Sequence, residues 1–200
     1  MIFAVILAAG ESRRMGQQNK LLLPVGGEAL VLKLAKSVCA SDVDHVLVVL
    51  GHEAEKIRSA LHDLPLSFIH NPGFREGMTS SIQSGVKALP EDCDGFIICL
   101  ADMPFSETSE LNHLIHTFQE NRIEGKKMIV VPVFEGQRGN PVLFSSEFRK
   151  DILTHKGYGC RGIILNYPEC VKEVIVQNDY ILRDIDTLED YEKETRPYSA

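Results

Sequence analysis

The feature that most constrains this chain is a repeated alternation: short runs of β-branched and apolar residues take turns with amphipathic stretches of helix length. Runs at residues 2–7, His45–Leu50, 66–70, 96–100 and 128–133 are almost continuously apolar, as strands buried on both faces must be. A later, more alternating strand is expected at 171–176. Between them, Leu30, Val31, Leu34, Ala35 and Val38 fall on one face of a helix, and Leu111, Leu114, Ile115 and Phe118 on one face of another. Ser80 and Gln83 have capping-box spacing and would open a helix running to about Leu89. Strand and helix in turn make a mainly parallel sheet covered by helices on both faces, a three-layer α/β/α sandwich. One domain over residues 1–195 is expected, with 196–200 a loose C-terminal tail.

Composition narrows the function classes. A formal charge of −7 does not suit a nucleic-acid partner, which calls for a broad basic face. A small anionic substrate stays open, because a nest of amides and a few cations overrides the global sign locally. The five cysteines form no C-x-x-C pair and read as small core residues, which with the absence of a secretory pattern points to the cytoplasm. No apolar run approaches the length of a spanning helix, so no membrane association is expected.

In an open α/β sheet, ligands sit beyond the carboxyl ends of the strands, so the segments after Leu7, His70 and Leu100 are the places to look for chemistry. The first runs Ala8-Ala9-Gly10-Glu11-Ser12-Arg13-Arg14-Met15-Gly16, and Asn19-Lys20 follows shortly. Small residues allow close backbone approach, successive N–H groups make an anion-binding concavity, and Arg14 and Lys20 supply charge to a triphosphate. The same residues out of context would be an ordinary surface turn. The pattern is neither G-x-G-x-x-G nor G-x-x-x-x-G-K-[ST], which removes the main support for a dinucleotide oxidoreductase or a P-loop.

The second segment, Asn71-Pro72-Gly73-Phe74-Arg75-Glu76-Gly77-Met78-Thr79-Ser80-Ser81, leads into a helix whose positive end suits a ribose hydroxyl or phosphate; alone it is a good helix start. The third, Leu100-Ala101-Asp102-Met103-Pro104, ends a strand on one acid. Asp102 fits a hard cation that accepts one or two carboxylates when phosphates and waters complete its shell, or it is a turn acid. Farther on, Arg138 and Asn140 in a glycine-rich hairpin could meet an acceptor or simply solvent, and Arg161 in Gly157-Tyr158-Gly159-Cys160-Arg161-Gly162 could clamp a phosphate bidentately. The acids of Asp184-Ile185-Asp186-Thr187-Leu188-Glu189-Asp190 lead into a final helix, and capping explains Asp186 and Glu189 equally well. His113 and His116 share a helix face without a third partner, weak grounds for a metal site.

The run L-A-A-G-E-S-R-R-M-G at residues 7–16, followed by N-K-L-L-L-P at 19–24, resembles the N-terminal signature of the molybdenum-cofactor nucleotidyltransferases. The resemblance extends through the N-P-x-x-x-x-G-M segment, L-A-D-M-P, the R-G-N-P hairpin and D-I-D-T-x-E-D, spanning residues 2–191. It implies a Rossmann-like sheet of the nucleotide-diphospho-sugar transferase type and a Mg²⁺-dependent transfer. Arg14, Lys20 and Asp102 would be the catalytic groups. The nucleotide would be held by Leu7, Ala8, Ala9, Gly10, Ser12, Arg13, Asn71, Gly77, Met78, Ser80, Ser81 and Ala101. Arg138, Gly139, Asn140, Gly159 and Arg161 would lie on the acceptor side, and Mg²⁺ would be bound by Asp102 with Asp184 or Asp186.

The chain departs from the family's usual G-D-x-G-A-R at Tyr158 and Cys160 and keeps Arg161. Ala9 stands where the guanylyl-transferring branch typically has a second glycine, which directs the expectation to CTP. The expected reaction moves CMP from CTP to the phosphate of molybdopterin, with a transient molybdoenzyme or chaperone as further partner. A phosphate monoester is already anionic at neutral pH, so no strong base is needed. The alternatives are guanylyl or other nucleotidyl transfer to a different phosphorylated acceptor, and a non-catalytic cofactor carrier.

Overall fold

The computed structural model describes residues 1–16, 18–157 and 159–195. The expected tail at 196–200, and Tyr158, lie outside the described residues. The chain enters through β1 (Ile2–Ala8), makes a small hairpin of β2 (Pro24–Val25) and β3 (Glu28–Ala29), and continues through α1 (Leu30–Cys39), β4 (His45–Leu50), α2 (Ala54–Ala60) and β5 (Ser67–His70). Then come α3 (Met78–Ala88), β6 (Gly95–Leu100), α4 (Thr108–Asn121), β7 (Ile129–Phe134), β8 (Gln137–Arg138) and β9 (Val142–Ser145). It ends with α5 (Arg149–Thr154), α6 (Gly159–Asn166), β10 (Val171–Ile175) and α7 (Leu188–Thr195).

Among the described residues the main sheet has the order β10-β7-β9-β6-β1-β4-β5, with β8 paired to β7. β1 lies at its centre, parallel to β4 on one side and β6 on the other, with Leu7 opposite both Val49 and Leu100. The sheet is mixed: β9 runs antiparallel between β6 and β7, and β8 is antiparallel to β7. The cause is local. Glu135 and Gly136, the two residues between β7 and β8, both have positive φ (47° and 78°), as a tight hairpin whose twist matches its strands requires. The returning chain therefore pairs back instead of crossing over.

Alternation along the strands divides the core in two. Ile2, Ala4, Ile6 and Ala8 of β1, with Ile97 and Cys99 of β6, pack against Val31, Leu34 and Val38 of α1, Ile57 of α2 and the apolar stripe of α4. Val5, Phe96 and Ile98 face the other way, onto Ile82 and Val86 of α3, Ile152 of α5 and Ile163 and Ile164 of α6. The faces read from the sequence of α1 and α4 are buried throughout. Among the described residues no helix is long and apolar enough to cross a membrane.

The start of α3 differs from the capping-box expectation. Gly77, with φ 104°, precedes the helix, and Ser80 lies inside its first turn. The Ser80 hydroxyl accepts a bond from Asn71 Nδ2 at 3.0 Å and reaches Gly73 O and Gly77 O at 2.8 and 2.9 Å, while Gln83 donates to Ile152 O and His155 O at 3.0 and 2.9 Å. Ser80 is taken by the preceding loop and Gln83 by the end of α5, partners that capping-box spacing does not reveal.

Candidate active site

The carboxyl ends of β1 and β6 are adjacent, and the loops leaving these two strands meet in one cleft of about 410 Å³. Ala101 N donates to Leu7 O at 3.2 Å, extending the pairing by one step and delivering Asp102 beside the first loop. Gly51, just past β4, lets a third wall close in. A Cβ there would lie 2.7 Å from Ala9 O and 2.6 Å from Phe74 Cβ, so only glycine allows the first loop and the Phe74 segment to approach so closely.

The first loop is pinned at both ends. Ser12 has φ 52°, a left-handed conformation uncommon for serine, and its carbonyl accepts from Met15 N at 2.8 Å while its hydroxyl accepts from Lys20 N at 3.2 Å. Met15 is buried and anchors the short 3-10 turn at Arg13–Met15. Asn19 Oδ1 caps the next turn through Leu21 N at 3.1 Å, which fixes the backbone from which Lys20 projects.

Lys20 Nζ lies 2.7 Å from Asp102 Oδ2 and 2.6 Å from Asp186 Oδ1, and Arg14 Nη1 lies 2.5 Å from Asp186 Oδ2. Burial disfavours the Lys20 ammonium, but the attraction and hydrogen bonds of Asp102 and Asp186 outweigh that and hold its pKa above the ordinary lysine value. Asp186 arrives because Ile185 is fully buried against Val25, Leu30 and Phe105, and Ile185 N donates to Asp102 O at 2.9 Å. The flanking Asp184 and Asp186 thus come to the same acid: one oxygen from each of Asp102, Asp184 and Asp186 fits within a 4.8 Å span. Desolvation, then repulsion from Asp102 and Asp186, pushes the Asp184 pKa above the usual aspartate value. The cap of α7 falls on Thr187 and Asp190, whose side chains bond each other's backbone N–H at 3.1 and 2.8 Å, leaving the Asp186 carboxylate to Lys20 and Arg14.

A divalent cation suits this cluster. Asp102 Oδ1 is a buried acceptor without a hydrogen-bond partner, and the three carboxylates repel one another unless positive charge lies between them.

Of the residues anticipated from the sequence, Leu7, Ala9, Gly10, Ser12, Arg13, Arg14, Lys20, Gly77, Met78, Ser81, Asp102 and Asp186 line the cleft. Ala8 and Ala101 are buried behind it. Asn71, expected to hold the nucleotide, is buried outside the lining: Nδ2 bonds Ser80 and Ser81, and Oδ1 accepts from Gly73 N at 2.9 Å. Ser80, which bonds Asn71, Gly73 and Gly77, lies outside the lining too.

The acceptor-side residues do not line the cleft either. Arg138 Nε bonds Glu173 of β10 at 2.7 Å, Gly139 N donates to Pro132 O at 3.0 Å, and Asn140 N donates to Ile181 O at 2.9 Å. Gly159 N donates to the Thr79 hydroxyl at 3.2 Å, next to the Met78 wall, while Arg161 is exposed on α6. Burial pushes the neighbouring Cys160 thiol up to about 12, so it stays protonated and inert at neutral pH.

Sequence reasoning left out Glu11, Leu21, Phe74, Arg75 and Leu100, all in the cleft wall. Glu11 pairs with Arg13 at 2.6 Å and faces Arg75 at 3.6 Å, joining two walls. Their place in the three segments already singled out was the available signal.

A family model described as the MobA-like NTP transferase domain matches residues 4–171. Purine catabolism protein PucB of Bacillus subtilis (strain 168) is 35% identical, over 99% of this chain and 98% of that protein. Nicotine blue oxidoreductase of Paenarthrobacter nicotinovorans is 25% identical over 94% and 93%. Among solved structures, Rv0371c from Mycobacterium tuberculosis H37Rv superposes with a TM-score of 0.83 at 22% identity over 96% of both chains, and a complex of that protein with manganese with a TM-score of 0.76 at 21% identity over 97% of both.

Proposed function

The chain belongs to the MobA-like NTP transferase domain family and is a nucleotidyltransferase, and from that premise we propose that it transfers CMP from CTP to the phosphate of a molybdopterin-type acceptor. The observation that carries this reading is the meeting of Lys20 with Asp102 and Asp186 where the first loop faces the end of β6. Triphosphate-binding charge and cation-binding charge share one cleft.

In this reading an acceptor phosphate oxygen attacks the α-phosphorus in line. A new P–O bond forms, the bond to the bridging oxygen of the β-phosphate breaks, and pyrophosphate leaves with the electron pair. Arg14 and Lys20 offset the charge that builds on the leaving group, and the turn around Gly10 lets the backbone approach the phosphates. Gly77, Met78 and Ser81 line the opposite wall, held there by Asn71 and Ser80. Asp102, with Asp184 and Asp186, would hold a divalent cation, Mg²⁺ in our reading, and the manganese complex of Rv0371c supports metal use on this fold. Such an ion supplies Lewis-acid polarisation of phosphoryl oxygens. The hairpin at Arg138, Gly139 and Asn140 and the start of α6 at Gly159 and Arg161 are where the acceptor would be met, with Arg161 clamping its phosphate. Catalysis rests on positioning and charge neutralisation.

The buried Ala9 side chain in the wall, where guanylyl transferases typically carry glycine, supports CTP. The likeness to PucB favours a second reading: the same transfer onto a different phosphorylated acceptor, serving purine catabolism. Pyrophosphate release from CTP, GTP, ATP and UTP, each with a molybdopterin acceptor, tests both. Preference for CTP with acceptor-dependent release is expected. Preference for GTP overturns the choice of nucleotide, and release that ignores the pterin overturns the acceptor.

A further inference from the structure

The Lys20 ammonium bonds Asp102 Oδ2 and Asp186 Oδ1, and those two carboxylates belong to the cluster suited to a divalent cation. It is well enclosed, with only 12% of its side chain exposed, so its ion pairs are screened far less than surface pairs. Arg14 takes the remaining Asp186 oxygen from the outside. Of the Asp102 and Asp186 oxygens, only Asp102 Oδ1 is left without a hydrogen-bond partner. An ammonium and a divalent cation compete for these carboxylates: Lys20 already holds one oxygen each of Asp102 and Asp186, and two positive charges at contact distance repel.

The backbone beneath Lys20 is held by Ser12 Oγ, by the Asn19 cap and by Leu23 N, which donates to Lys20 O at 3.1 Å. What can move is the four-carbon stem. Lys20 lines the same cleft as Gly10, Ser12, Arg13 and Arg14, so its ammonium can exchange carboxylates for phosphates without any rearrangement of the fold.

We propose that Lys20 is a built-in competitor for the cation seat: it neutralises Asp102 and Asp186 while the cleft is empty, and it yields them only when a triphosphate draws its ammonium away. This rests on the assignment of the seat under Proposed function. It makes nucleotide and cation bind with positive coupling, and linkage makes that coupling reciprocal. The nucleotide-free protein then binds a divalent cation weakly, which keeps the carboxylate cluster from being filled before substrate arrives.

The test is Mn²⁺ binding to nucleotide-free protein, read as free Mn²⁺ by electron paramagnetic resonance. Lys20→Met keeps the stem and removes the charge; Lys20→Gln is a second variant should the first fail to fold. Arg13→Gln makes the same charge change on the same loop, away from the seat. Both Lys20 variants are expected to bind Mn²⁺ about tenfold or more tightly than the wild type, within the range of ordinary site coupling. Arg13→Gln should stay within about twofold, because exposed charge is screened. Asp102→Asn in the Lys20→Met background should abolish the gain.

Wild-type affinity equal to that of the Lys20 variants, with binding lost in Asp102→Asn alone, would leave the cation seat standing and overturn the competition. A gain in Arg13→Gln as large as that in Lys20→Met would also overturn it, reducing the effect to net charge. Mn²⁺ binding indifferent to Asp102→Asn in every background would overturn the seat itself, and with it the reading on which the competition rests.

Discussion

The nucleotide side of the molecule and the hairpin-and-helix side expected to meet the acceptor are held in opposite ways. Around the cleft, side chains satisfy one another across and within its loops: Lys20 joins Asp102 and Asp186, Glu11 joins Arg13 and Arg75, and Asn71 joins Ser80 and Ser81. Arg138, Gly139 and Asn140 instead bond Glu173, Pro132 and Ile181, none of which lines the cleft. Convergence of charged groups with one acceptor left unsatisfied marks a place built for a ligand, whereas a segment whose groups bond their own surroundings carries no such mark in its bonding.

The largest effect that would break this contrast belongs to Asp102. Replacement by asparagine keeps the shape and removes the charge, and kcat/KM should fall by about 10²–10³-fold, as when a preorganised electrostatic contact to the reacting groups is lost. The far-ultraviolet circular dichroism should not change, because Asp102 binds the fold through its backbone, accepting from Ile185 N, and that remains. Activity within about tenfold of wild type would move the chemistry away from this cleft.

Gly139 comes next and tests the other side. A Cβ there would lie 2.3 Å from Ile181 O, so Gly139→Ala should cost about 1–3 kcal/mol, as overpacking does. The urea midpoint measured without any ligand reads this directly. A glycine kept for closeness to an acceptor would leave that midpoint unchanged and alter only the acceptor KM.

This pair of residues also shows how much the sequence could tell. The strand positions needed only the apolar runs: His45–Leu50 is realised with the expected bounds, the runs at 2–7, 66–70, 96–100 and 171–176 each differ by one residue at one end, and the run at 128–133 is shifted by one residue to Ile129–Phe134. Topology then placed Asp102 opposite the first loop, because β1 and β6 are neighbours whose carboxyl ends coincide. Long-range side-chain bonding was not legible. Ser80 and Gln83 have the spacing of a cap and serve as braces, and Asn71 looks like a ligand group while both ends of its amide bond neighbouring groups of the protein. The hairpin after β7 was legible from its glycines, but the place of β9 between β6 and β7 was not: alternating strands and helices imply crossovers, whereas the positive φ of Glu135 and Gly136 turns the chain back into the sheet.

Arg161 sharpens the contrast at a smaller scale. It is exposed on α6, whose first residue, Gly159, is tied to Thr79 beside the Met78 wall of the cleft. If it clamps the acceptor phosphate, Arg161→Ala removes a charge-assisted bond and raises the acceptor KM about tenfold, leaving the CTP KM unchanged. Equal shifts in both constants would place Arg161 on the nucleotide instead, and no shift in either would leave the acceptor without this contact.

The smallest effect is expected at Arg13. Arg13 lines the wall with Arg14, yet its side chain is 74% exposed and its partner is Glu11, two residues away, whereas Arg14 reaches across to Asp186. An exposed ion pair of this kind contributes little in water and is screened by salt. Arg13→Gln should therefore raise the CTP KM by about threefold or less, a difference that fades as ionic strength rises. A larger, salt-resistant loss would mean that the nucleotide closes the loop over itself and buries Arg13 against the phosphates. The first loop would then be a moving part of the site, and the pins at Ser12 and Asn19 would be the ends about which it turns.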